Sequence, residues 1–121
     1  MTQEDKELLL TDLCARLPYD VYVHIRYKTG EPCYGKLTPR DIQWFIDSKI
    51  ENIKPYLRPI SSMTDDEKKE YDSKRKHICD EYNRYCFDTI ESIDWLNFHH
   101  FDYRGLIEKG LALEAPEDMY K

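Results

Sequence analysis

From Leu8 onward, apolar positions recur at helical spacing through Leu9, Leu10, Leu13, Cys14 and Leu17, and this stripe predicts a helix over residues 2–17. Pro18 closes it. Thr2 can cap the first turn, and Glu4 and Asp5 sit where the helix dipole favours negative charge. From Asp20 the period changes to two, with Val21, Val23, Ile25 and Tyr27 on one face and Tyr22, His24 and Arg26 on the other. That alternation predicts a half-buried strand. Lys28-Thr29-Gly30-Glu31 supplies a turn, and residues 32–37 return as the second arm of a hairpin in which Gly35 marks a bend or bulge.

Residues 38–58 admit two readings. Thr38-Pro39-Arg40-Asp41 is a helix start, and Ile42, Phe45, Ile46, Ile50 and Ile53 fit a helical stripe. Ile42, Trp44 and Ile46 also alternate with Gln43, Phe45 and Asp47, and Asp47-Ser48-Lys49 can turn into a second strand over Ile50 to Ile53. Periodicity leaves both open. The two prolines of Lys54-Pro55-Tyr56-Leu57-Arg58-Pro59 make that segment an extended or single-turn connector.

Thr64 and Glu67 spell a capping box, so a helix begins there. Tyr71, Ile78, Cys79, Tyr82, Cys86, Ile90, Ile93 and Leu96 continue a stripe without Pro or Gly, which predicts one helix, straight or kinked, reaching about Asn97. After a break near His99, Asp102 can cap a short helix through Lys109, with Gly110 as its terminator. Residues 114–121, with Pro116, read as a loose tail. The fold class expected is therefore α+β: a helix over residues 1–18, a small antiparallel sheet of three to five strands over 19–60 curled in the manner of an SH3-type barrel, and a helical section over 61–113. The alternative is a mostly helical chain with one hairpin.

Length and charge narrow the function classes. With 121 residues and 14.6 kDa the chain is one domain, large enough to bury a core without metal or disulfide help. No apolar run is long enough for a membrane span or a signal peptide, so the expectation is a cytoplasmic protein with no membrane partner. The net charge is −6, and the excess is all in the second half, where fifteen acidic side chains face nine basic ones. Such a balance disfavours non-specific binding to a phosphate backbone. Cys14, Cys33, Cys79 and Cys86 lack zinc-module spacing and read as reduced thiols filling core positions. On one helix Cys79 and Cys86 would stand about 10 Å apart, with His77 facing away, so neither a metal nor any other cofactor is expected.

Three stretches carry a resemblance. They are Leu8-Leu9-Leu10-Thr11-Asp12-Leu13-Cys14-Ala15-Arg16-Leu17-Pro18-Tyr19, then Ile53-Lys54-Pro55-Tyr56-Leu57-Arg58-Pro59 with Ser61-Ser62-Met63-Thr64, and the end from Ile93-Asp94-Trp95-Leu96-Asn97 through His99-His100-Phe101-Asp102-Tyr103-Arg104-Gly105 to Gly110. Together they cover nearly half the chain, and they resemble a group of small proteins encoded by phages, prophages and other mobile elements of gut anaerobes. That group carries no assigned activity, substrate or catalytic residue. Its members place a strand-rich unit between the first two stretches, so the resemblance implies strands rather than a helix for residues 38–58.

Two constellations remain as candidate chemistry. Tyr22, Tyr34 and Tyr56, with Arg26, Lys36, Arg40 and Arg58, lie on or near the expected sheet, where aromatic and cationic groups can hold a peptide or stack bases. His99, His100, Asp102 and Arg104 bring together imidazoles, a carboxylate and a guanidinium, the groups of a small hydrolase or transferase, or else of a helix junction. With no nucleophile or Gly-rich loop beside them, the favoured function is an accessory protein of a mobile element that binds another macromolecule, a protein before a nucleic acid. Ile78, Tyr82, Tyr85 and Thr89, spaced along the long helix, would leave apolar surface that a homodimer could bury.

Overall fold

A computed structural model describes residues 1–120 and has an α+β architecture. The first helix, α1 (Gln3–Arg16), starts at a capping box in which Thr2 accepts from the Asp5 amide and Asp5 from the Thr2 amide. Strand β1 (Tyr22–Tyr27) follows after one 3-10 turn and pairs antiparallel with β2 (Cys33–Lys36), in the register Tyr22 to Lys36 and His24 to Tyr34. The period-two reading holds here: Val21, Val23 and Ile25 are buried.

Residues 38–58 combine both readings in sequence. Thr38 and Asp41 form a second capping box that opens helix α2 (Pro39–Ile46), with Ile42 and Phe45 buried. The strands implied for this part by the resemblance are thus displaced by local capping chemistry. Strand β3 (Ile50–Pro59) then runs through the segment expected to be a connector and becomes the centre of the sheet. It pairs antiparallel with β1 and parallel with two short strands, β6 (Phe101–Asp102) and β7 (Leu113–Glu114). Among the described residues no pairing joins β2 to β6 or β7, so the sheet is not closed into a barrel.

The long helix expected over residues 64–97 is two helices with a hairpin between them. Helix α3 (Asp65–Lys74) opens at the Thr64–Glu67 box and α4 (Ile90–Phe98) at a further box formed by Thr89 and Ser92. Between them β4 (Lys76–Cys79) and β5 (Arg84–Phe87) pair antiparallel. The turn explains the break, because the Asp80 carboxylate accepts from the amides of Tyr82 and Asn83 and thereby satisfies backbone groups that a helix would have used. Every residue of both strands is exposed. The apolar stripe of Ile78, Tyr82, Tyr85 and Thr89 therefore lies on no single helix, and a homodimer built by pairing such helices loses its basis.

The junctions share one device. Asp20, Ser48 and His100, all non-glycine residues with φ between 54° and 63°, each follow a helical segment and turn the chain into the next strand. Beyond Asp102 the expected short helix is only a turn, bracketed by Gly105 and Gly110 at positive φ. The terminal segment, expected to be loose, is docked: β7 lies on Tyr56 and Leu57, and the Ala115 amide donates to the Leu57 carbonyl at 2.8 Å.

Two cores result. The larger joins Leu9 and Leu13 of α1, the inward residues of β1 and β3, Ile42 and Phe45 of α2, and Leu106, Leu111 and Ala112. The smaller, of Met63, Trp95, Leu96 and Phe101, packs α3 and α4 near the end of β3. Cysteines fill neither. All four are exposed free thiols, because the stripe positions assigned to Cys79 and Cys86 lie on the hairpin and Cys14 is on the outer side of α1.

Candidate functional site

Side chains alternate across the sheet, so the outward positions follow from the register. On β1 they are Tyr22, His24 and Arg26, on β2 Tyr34 and Lys36, and on β3 Asn52, Lys54, Tyr56 and Arg58. Of the seven residues expected to form a binding face, Tyr22, Arg26, Tyr34, Lys36 and Tyr56 come together there, joined by His24 and Lys54, whose positions in the same alternation were the available signal. Tyr22 stacks on Tyr34 with centroids 5.8 Å apart, and Tyr34 meets Tyr56 edge-on at 6.1 Å. Tyr34 is the most open, with 61% of its surface exposed. Two carboxylates lie at its margins: Asp20 comes within 3.9 Å of Lys36, and Glu51, the extra residue where the β1–β3 register shifts, is exposed. Arg40 lies elsewhere, on α2, with its guanidinium over the Trp44 ring at 4.8 Å.

The far end of this face is closed by Arg58. Its guanidinium lies 4.1 Å over the Phe101 ring and makes two bonds to the Glu67 carboxylate, at 2.8 and 2.9 Å. Glu67 also receives the Thr64 amide, so one carboxylate caps α3 and ties it to the sheet. The Arg58 contact holds the Glu67 carboxyl down at about 2. A cleft of about 640 Å³ opens beside this pair, lined by Ser62, His99, Glu114, Pro116 and Tyr120. Arg58 is spent on Glu67, and burial lowers the pKa of His99, so neither supplies the cleft with a free cation.

Tyr120 is the residue that sequence reasoning missed. Its hydroxyl accepts from the Tyr22 amide at 3.0 Å and donates to the Tyr56 carbonyl at 2.7 Å, bridging β1 and β3 just past their last ladder pair, Val23 with Pro55. Its ring lies between Tyr22 and His100, parallel to the imidazole at 3.7 Å. Burial pushes its hydroxyl up to about 12. A single aromatic in a polar tail has no periodic partner to announce it.

The four residues of the candidate acid-base cluster are drawn apart. His99 packs on Trp95 at 4.2 Å, and Asp102 accepts from the amides of Leu106 and Ile107, both at 2.9 Å. Arg104 turns inward to Asp12 at 2.8 Å. His100 is buried against Tyr120, and its Nδ1 has no hydrogen-bond partner among the described residues. Each has a structural contact of its own, so no shared site for acid-base chemistry forms. Among the described residues no group of three or more His, Cys, Asp or Glu is placed to hold a metal ion, and no helix is long and apolar enough to cross a membrane.

His100 makes the fold sensitive to acid. Burial, assisted by the positive charge of Arg16, lowers its pKa from the ordinary 6.5 to about 4. The unfolded chain then binds a proton that the folded chain refuses. The resulting stability is fully present above pH 6.5 and is lost as the pH falls through 4, a loss of about 2 kcal/mol after allowance for partial solvent screening. Asn tolerates the left-handed backbone at this position. His100→Asn should therefore flatten the decline in melting temperature between pH 6.5 and 4; a decline as steep as that of the parent protein would assign the effect to carboxylates instead.

Compared with family models, curated proteins and solved structures, the chain matches none of them.

Proposed function

We propose that this chain is a non-enzymatic accessory protein of a mobile element that acts in the cytoplasm by binding another protein. The open face of β1, β2 and β3 takes an extended acidic segment of that partner. The observation that carries this reading is the make-up of the face: three contacting tyrosines with Arg26, Lys36 and Lys54, cations that outnumber the carboxylates Asp20 and Glu51 at its margins, on a chain whose net charge is −6. Tyrosine gives broad contact area at small entropic cost, and the cations select against basic partners. β2 ends the strand order, so its outer edge can add main-chain hydrogen bonds to an extended peptide. The mobile-element setting rests on the resemblance of the three stretches, and the four free thiols support a reducing compartment.

Nucleic acid is the second reading, favoured by the same cations and by the open ring of Tyr34. Against it, the tyrosines pack on one another rather than standing apart to admit bases, and the rest of the acidic surface repels a polyanion. A random peptide-display selection on the immobilised full chain, run beside a gel shift with an oligothymidine strand, separates the two. Enrichment of Asp- and Glu-rich peptides, with binding that weakens as salt is added, is expected. Enrichment of basic peptides, or a shifted oligonucleotide where no peptide binds, would contradict the protein reading.

A further inference from the structure

The hairpin between α3 and α4 brings a thiol and an imidazole into contact. Cys86 of β5 is the register partner of His77 of β4, and its Sγ lies 3.1 Å from His77 Nδ1. The other ring nitrogen, Nε2, is 2.8 Å from the carbonyl oxygen of Asp72 and 3.7 Å from that residue's carboxylate. A carbonyl only accepts, so Nε2 must carry a hydrogen. Nδ1 is then left to accept the thiol proton or, once it holds that proton, to donate to the thiolate. These are the two states of one dyad.

Charged groups of both signs surround the dyad. Asp72 belongs to the last turn of α3, at the negative end of the helix dipole, and its carbonyl accepts from the Arg75 amide at 3.2 Å as well as from the ring. Arg84 lies on the same face but opposite Cys79, its register partner, so the imidazole rather than the guanidinium distinguishes Cys86; Asp88, two residues on, is engaged by Tyr71, Ser92 and Arg75. Both His77 and Cys86 are exposed, so a reagent can reach the sulfur. Among the described residues no other thiol has an imidazole partner: the Cys33 sulfur is 3.8 Å from the Tyr27 hydroxyl, and that of Cys79 is 3.8 Å from the Asp80 carbonyl.

We propose that Cys86 is an activated nucleophile and a site of covalent modification by small-molecule disulfides. In the reaction His77 Nδ1 takes the thiol proton and the Cys86 sulfur attacks one sulfur of the disulfide. A new sulfur–sulfur bond forms as the reagent's own bond breaks, and the departing thiolate leaves as a thiol with the proton held by His77. Cys86 ends as a mixed disulfide, and one equivalent of small thiol is released.

The four exposed cysteines provide internal standards. The full chain is incubated with glutathione disulfide at pH 7, and the modification of each cysteine is followed by peptide mass mapping. Cys86 is expected to react about tenfold faster than Cys14, Cys33 and Cys79. His77→Gln should bring it to their rate while leaving Cys79, on the same hairpin, unchanged. In guanidinium the four rates of the parent protein should converge, which requires no variant to fold. Equal rates in the native protein, a Cys86 rate indifferent to His77→Gln, or a difference that survives denaturation would each overturn the proposal.

Discussion

Replacing Asp12 by Ala should destabilise the protein by about 3–5 kcal/mol, a large share of the ~5–15 kcal/mol that holds a domain of this size together. Asp12 and Arg16 are both fully buried on α1, with Arg16 Nε on one carboxylate oxygen at 2.8 Å and Arg104 on the other at 2.8 Å. Arg16 reaches on to the Phe101 carbonyl at 2.6 Å, which fixes α1 against β6. Both guanidinium groups also lie over the Tyr103 ring. Among the described residues this carboxylate is the only acid that pairs with either arginine, so its removal leaves one buried cation and one half-buried cation uncompensated. Asp12→Asn keeps an acceptor without the charge and should fall between Ala and the parent. Arg104→Met should cost less than either, because Arg104 reaches the surface and Arg16 retains its partner. Urea unfolding of the three variants checks the order; a loss under about 1 kcal/mol for Asp12→Ala would show that the network does not hold α1 in place.

Much of the local structure was legible because it rests on short-range chemistry. The alternation from Val21 to Tyr27 has one buried face, and the boxes at Thr38 and Thr64 open helices as their spacing requires. The hairpin was not legible from the stripe, because its strands are only four residues long and Ile78, Tyr82 and Tyr85, spaced four and three apart, fit a period of 3.6 straight across the turn. The Asp80 turn and the Thr89–Ser92 box were the signals against one long helix. Asp12 and Arg16, four apart within an apolar stripe, were a readable pair, whereas Arg104 is 92 residues from its partner and only tertiary structure joins them. The same holds for the candidate sites. Alternation places five tyrosines and cations on one face, but the Cys86–His77 contact crosses two strands and is invisible until the hairpin is known. Residues 8–19, 53–64 and 93–110 supply Asp12 and Arg16, Arg58, and Phe101 with Arg104, the side chains that bind the helices to the sheet.

Reversing the charge of the open face is the second large effect expected, and it bears on the proposed binding role. Arg26, Lys36 and Lys54 lie on three adjacent strands around the tyrosines, and none of them is part of a core. Glu at all three positions sets like charges against an acidic segment, which costs several kcal/mol at an interface. The altered chain should still fold, since exposed charges contribute little to stability. A control with Glu at Arg40, Lys68 and Lys69, all exposed and all off the face, undergoes the same change in net charge and separates local contact from the overall field. The deciding measurement is titration calorimetry of the strongest acidic peptide from the display selection against the parent chain, the face variant and the control. The face variant should bind at least about a hundredfold more weakly, near 3 kcal/mol, while the control stays within about a few fold of the parent; equal losses in the two variants, or none in either, would contradict the assignment of this sheet face as the binding surface.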